Sequence, residues 1–121
     1  MSHAHPHAPL PSVDLAGFST VAGAPGVTVL DFGAERCPPC RVMEPILVAL
    51  AAEYAGRARI AAIDADRELE LAARFNVRSL PTLVFLRDGT EVGRVIGSRS
   101  RAFVTGMLDR ALRGDTAIAG P

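Results

Sequence analysis

The stretch Val27-Thr28-Val29-Leu30-Asp31-Phe32-Gly33-Ala34-Glu35-Arg36-Cys37-Pro38-Pro39-Cys40-Arg41 decides how this chain folds. Val27 to Phe32 is a β-branched and apolar run, the pattern of a buried strand. The cysteine pair follows, and beyond it Val42, Met43, Ile46, Leu47, Leu50 and Tyr54 recur at helical spacing as far as Gly56. A helix over roughly Pro38 to Tyr54 is therefore expected, with that stripe against the core. Pro45 lies inside it, removes one ladder hydrogen bond and predicts a kink. Two cysteines thus stand one turn apart where a strand gives way to a helix.

Working outward, Val13 to Val21 reads as a short strand and a turn or two of helix, broken by Gly23-Ala24-Pro25-Gly26. Arg59 to Asp64 reads as a second buried strand. Glu68 to Phe75 reads as a short helix with Leu69, Ala72 and Phe75 inward. Thr82 to Leu86 is a third strand, joined through Arg87-Asp88-Gly89-Thr90 to a fourth at Glu91 to Ile96, with Asp-Gly at the centre of a hairpin turn. Ser100 is the expected N-cap of a last helix whose apolar face is Phe103, Val104, Met107, Leu108, Ala111 and Leu112. The order implies an α/β fold, a central mixed sheet flanked by helices on both faces. The right-handed crossover rule makes strands 27–32 and 59–64 parallel. The domain is expected over residues 12–113, after a flexible leader at 1–11 and before a tail at 114–121.

With 121 residues the chain has room for one domain and a real core. Thirteen basic residues, all arginine and scattered, balance thirteen acidic ones, so no net field steers the protein toward nucleic acid or an anionic membrane. No run approaches the ~20 apolar residues of a membrane span. The N-terminus lacks the basic and apolar regions of a secretory signal, which makes the cytoplasm the expected compartment. The leader holds His3, His5 and His7. Alternate imidazoles suit a weak nickel or copper site, but a flexible tail is the preferred reading.

In the cytoplasm a close cysteine pair points to redox catalysis or to metal. A helix N-terminus carries partial positive charge and unpaired amide donors, both favouring a thiolate at Cys37. Cys37 is expected open to solvent and Cys40 one turn deeper, close enough to close a disulfide. Such a pair supports attack, a mixed disulfide, and release by the second thiol. Zinc is the rival, but it needs two further ligands, and the chain has no other cysteine and no histidine outside the leader. A purely structural disulfide is disfavoured by compartment and by the small loop it would close.

At this point the residues resemble a known family. The run Val29 to Arg41, then Pro45-Ile46-Leu47, Asn76-Val77-Arg78-Ser79-Leu80-Pro81-Thr82, Asp88-Gly89 and Gly97 are similar, in order, to the thioredoxin family with a Cys-Pro-Pro-Cys active site. The resemblance implies a thioredoxin-like fold and a protein-disulfide reductase that needs no bound cofactor. It implies disulfide-bearing protein substrates, a reductase such as thioredoxin reductase as electron donor, and a monomer. Cys37 corresponds to the attacking thiolate, Cys40 to the resolving thiol, and Asp31 to the buried carboxylate that accepts a proton from the latter. Pro81 corresponds to a cis-proline beside the active site, with Leu80 and Gly97 in the substrate groove, and Pro45 to the helix-kinking proline. From the residues alone, Asp31 also reads as a strand-end residue and Leu80-Pro81 as an ordinary trans bond.

The departures bear on function. The family's two tryptophans are replaced by Gly33 and Arg36, and its buried lysine near the aspartate aligns with Ala62, so burial alone should push Asp31 toward its neutral form. Arg36 favours the Cys37 thiolate by proximity. Pro38 removes an amide donor, and Pro38 and Pro39 fix the loop backbone. The tryptophan-free rim leaves a second class of function open: a redox sensor or binding module with one dedicated partner.

Overall fold

The computed structural model describes residues 10–115. The histidine-bearing part of the leader and the last six residues of the tail lie outside them. Eight elements follow in order: α1 (Leu15–Ala22), β1 (Val27–Gly33), α2 (Pro38–Glu53), β2 (Ala58–Asp64), α3 (Leu69–Arg74), β3 (Thr82–Arg87), β4 (Thr90–Ile96) and α4 (Arg101–Leu112). Among the described residues the four strands form one mixed sheet in the order β2-β1-β3-β4. β1 and β2 run parallel, whereas β1 with β3 and β3 with β4 are antiparallel.

Alternation along β1 assigns each face of the sheet a core. Val27 and Val29 join Ala58, Ile60, Leu83, Phe85 and Val95 beneath Met43, Leu47 and Leu50 of α2 and Val104, Met107 and Leu108 of α4. Leu30 and Phe32 point the other way, to Ala61, Ile63, Val84, Leu86 and Leu71, with Phe18, Val21 and Phe75 packed against them. Helices α2 and α4 thus cover one face, and α1 and α3 the other. Asp31 shares the parity of Val27 and Val29, so it lies on the α2 side of the sheet.

Local chemistry explains the joints. Asp14 Oδ1 accepts from the Gly17 amide and Ser100 Oγ from the Phe103 amide, capping α1 and α4. Asp88 and Gly89 have φ of 49° and 84°, the left-handed pair that a tight hairpin requires. A Cβ on Gly89 would also sit 3.0 Å from the Ala22 carbonyl oxygen. Val92 interrupts the β3–β4 register, because Phe85 pairs with Gly93 while Leu86 pairs with Glu91, a bulge that nothing in the sequence marks.

Three expectations change. Leu69 is 70% exposed, and it is Leu71 that is fully buried, while Ala72 and Phe75 pack against the same cluster as expected. Val42 is 59% exposed, since the inward stripe of α2 runs through Met43, Leu47 and Leu50. Residues before position 12 also join the domain. Leu10 packs against the core, and the Pro11 carbonyl accepts the Ala62 amide at 2.8 Å.

Candidate active site

The cysteine pair sits where β1 ends and α2 begins. Cys37 is the N-cap of α2, with Pro38 and Pro39 in the first turn. Proline suits that position because its missing N–H would lack a helical partner anyway. The consequence for the sulfur is specific. The Arg41 amide donates to the Cys37 carbonyl at 3.1 Å and closes the first helical turn. Only the Cys40 amide is left to face the sulfur, and it donates to Cys37 Sγ at 3.3 Å. Proline at both 38 and 39 therefore reduces the helix's amide contribution to a single donor.

Cys37 and Cys40 are joined as a disulfide with their Cα atoms 5.2 Å apart. The expected exposure is reversed. Cys37 keeps only 9% of its surface, while Cys40 is half-buried. The first sulfur is folded back over the helical turn toward Cys40 and its amide instead of projecting into solvent. Arg36, Pro38 and Pro39 around it are exposed.

Behind Cys40 lies Asp31. Cys40 Sγ and Asp31 Oδ1 are 3.4 and 4.0 Å from the point that a Cβ on Gly33 would occupy, so both border the space that the glycine leaves empty. Both line a cleft of about 470 Å³ whose walls include Gly33, Ala62, Leu10 and Glu44. Asp31 pairs in register with Ala62, and the β2 residues on the same face toward α2, Ala58, Ile60 and Ala62, offer no cation. Burial first, and the Glu44 carboxylate second, push the Asp31 carboxyl up to about 6. That is close to neutrality, where a carboxyl can both take and release a proton. Sequence reasoning missed Glu44. Its spacing four residues beyond Cys40, one turn along the same helix face, was the available signal.

The remaining site residues gather on the other flank of β1. Leu80-Pro81 is a cis peptide bond. Pro81 is buried and precedes Thr82, which pairs with both Phe32 and Ile96. The Gly97 amide donates to the Pro81 carbonyl at 2.8 Å, and Gly97 has φ of 88°, a conformation open to glycine. Leu80 and Gly97 are half-buried beside them. Among the described residues, no group of three or more His, Cys, Asp or Glu side chains is arranged to hold a metal ion. No helix among them is long and apolar enough to cross a membrane.

With this geometry in place, comparison with known proteins decides the family. The thioredoxin family model matches residues 15–110. The chain belongs to the thioredoxin family. It is 39% identical over 87 residues to the thioredoxin of Staphylococcus aureus strain Mu50, covering 72% of this chain and 84% of that one, with the same figures for strain MW2. Among solved structures it is similar to a mutant thioredoxin from Halobacterium salinarum, with a TM-score of 0.78 and 32% identity over 92% of this chain and 96% of the other. A thioredoxin-family chain with its Cys-x-x-Cys pair in disulfide linkage is a protein thiol–disulfide oxidoreductase. The thioredoxin fold inferred from the sequence is the fold observed.

Proposed function

We propose that this protein works in the reducing direction, passing two electrons from the Cys37–Cys40 dithiol to a disulfide in another protein. The Cys37 thiolate attacks one substrate sulfur, the substrate S–S bond breaks, and the departing sulfur takes up a proton. A mixed disulfide now links substrate and Cys37. Cys40 gives its proton to Asp31, and its thiolate attacks Cys37 Sγ. The second substrate sulfur leaves as a thiol, and the Cys37–Cys40 disulfide remains. The juxtaposition of Cys40 and Asp31 along one cleft carries this reading.

Supporting roles follow from position. The cis-Pro81 loop, with Leu80 on one side and Gly97 hydrogen-bonded to its carbonyl, offers backbone groups to an extended substrate segment. Arg36 and the single Cys40 amide favour the thiolate, and Pro38 and Pro39 hold the turn in place. A reductase such as thioredoxin reductase restores the dithiol, and the compartment is the cytoplasm. The protein acts as a monomer without a bound cofactor.

Insulin reduction tests the mechanism. Cys37→Ser should abolish it, and Cys40→Ser should accumulate mixed disulfides with many proteins. Normal turnover in Cys37→Ser would sink the mechanism, and capture of one dominant protein by Cys40→Ser would favour a dedicated sensor. The potential of the pair tests the direction. Thioredoxins as a class lie at about −270 mV and the strongest protein oxidants at about −120 mV. A value near the former is expected.

A further inference from the structure

Arg36 stands immediately before Cys37 with its side chain exposed. Every basic residue of the chain is an arginine, and every other arginine has a hydrogen bond, an ion pair or a ring contact. Arg36 alone has none among the described residues. Its position also works against the fold. A cation just outside a helix N-terminus meets the positive end of the macrodipole, where an acidic residue would be favoured. The side chain does nothing for α2, and it is placed beside the nucleophile.

The surroundings are electrically sorted although the whole chain is neutral. The segment 78–82, which carries Pro81, contains Arg78 and no acidic residue. The segment 96–101, which carries Gly97, contains Arg99 and Arg101 and no acidic residue. Thr82 of the first segment pairs with Phe32 of β1 and with Ile96, and the Arg99 amide of the second donates to Met43 Sδ of α2 at 3.3 Å. The acidic side chains Asp31, Glu35, Glu44 and Asp64 line the cleft on the β2 flank instead. Arg101 is already paired with Glu53, so a substrate approaching past Pro81 and Gly97 meets Arg78 and Arg99 there.

We propose that Arg36 is a specificity residue that pairs with a carboxylate beside the substrate's disulfide, so that the protein prefers protein disulfides flanked by aspartate or glutamate. This rests on the reductase reading above. In the mixed disulfide the substrate cysteine is fixed at Cys37 Sγ. Neighbouring substrate residues advance by only ~3.3–3.6 Å each, so a carboxylate one or two positions away comes within reach of the residue next to Cys37. The planar guanidinium fork matches a carboxylate in a bidentate pair.

Stabilisation of the Cys37 thiolate by Arg36 would speed every substrate alike, so a ratio isolates the specificity role. Two peptides with the same internal disulfide, one flanked by aspartates and one by arginines, are mixed with the pre-reduced protein, and single-turnover rate constants are measured. The acidic peptide should react about two- to fivefold faster, as expected for an exposed ion pair, and high salt should erase the difference. Arg36→Gln should bring the ratio close to one, Arg36→Glu should invert it, and Arg36→Lys should keep its sign. A wild-type ratio of one, or an equal loss on both peptides in Arg36→Gln, overturns the proposal. Failure of the wild type to reduce either peptide would overturn the reductase reading itself.

Discussion

Asp31 is the residue at which burial, charge and chemistry meet. Its carboxyl faces α2 from the middle of the sheet, with no β2 cation opposite and with Glu44 on the cleft wall. The folded protein raises it from 3.8 to about 6. A raised carboxyl stabilises the fold only while protonated. Its contribution is complete below 3.8 and is lost as pH rises through about 6. Asp31→Asn should therefore stabilise the protein at pH 8 by on the order of 2 kcal/mol, allowing for water in the cleft, and change little near pH 3.5. Urea unfolding at the two pH values checks this, and an equal effect at both would refute it. Glu44→Gln should move the Asp31 titration downward, read by carboxyl carbon NMR, with the fold intact because Glu44 is exposed. An acid flanked by Leu30 and Phe32 was conspicuous in the sequence. Glu44 was not, since helical spacing names a shared face but not the strand across from it.

Among the elements, the informative contrast is within α3. Leu69 and Leu71 are both leucines two positions apart, one 70% exposed and the other fully buried. Leu71→Ala should cost about 2–5 kcal/mol and Leu69→Ala less than about 0.5 kcal/mol in chemical denaturation. The reverse order would contradict the packing. Six residues of helix are too few for periodicity to choose a face, so the strand beneath them decides. At α4 the cap was legible, because Ser100 precedes a clear apolar stripe. Ser100→Ala should cost about 1 kcal/mol. The Asp88-Gly89 turn was equally plain from its chemistry, whereas the Val92 bulge left no trace in composition or alternation.

At the scale of the whole molecule, β1 and β3 each contribute side chains to both core layers, Val29 and Phe85 to one, Leu30 and Val84 to the other. Neither layer can open without stripping the shared strands. Tyr54, the single tyrosine in a chain without tryptophan, is buried between α2 and α4 and donates to Asp109 Oδ1 at 2.7 Å. Its fluorescence reports one layer, while far-ultraviolet circular dichroism reports all helices. Their urea transitions should coincide, and separated midpoints would show the layers to be independent. The α/β class and the parallel β1–β2 pair were readable from the alternation of strand and helix. The strand order and the grouping of α2 with α4 were not, because they follow from contacts between distant segments.

That strand order has one more effect. The Asp31 cleft opens over β2 and β1, while Pro81 and Gly97 sit on the opposite flank of β1, toward β3 and β4. On the proposed mechanism, polypeptide traffic would use one flank and hydrogen ions the other. A bulky client would then stay tethered without corking the proton's route to bulk water, so its size would govern how it arrives and not how it is let go.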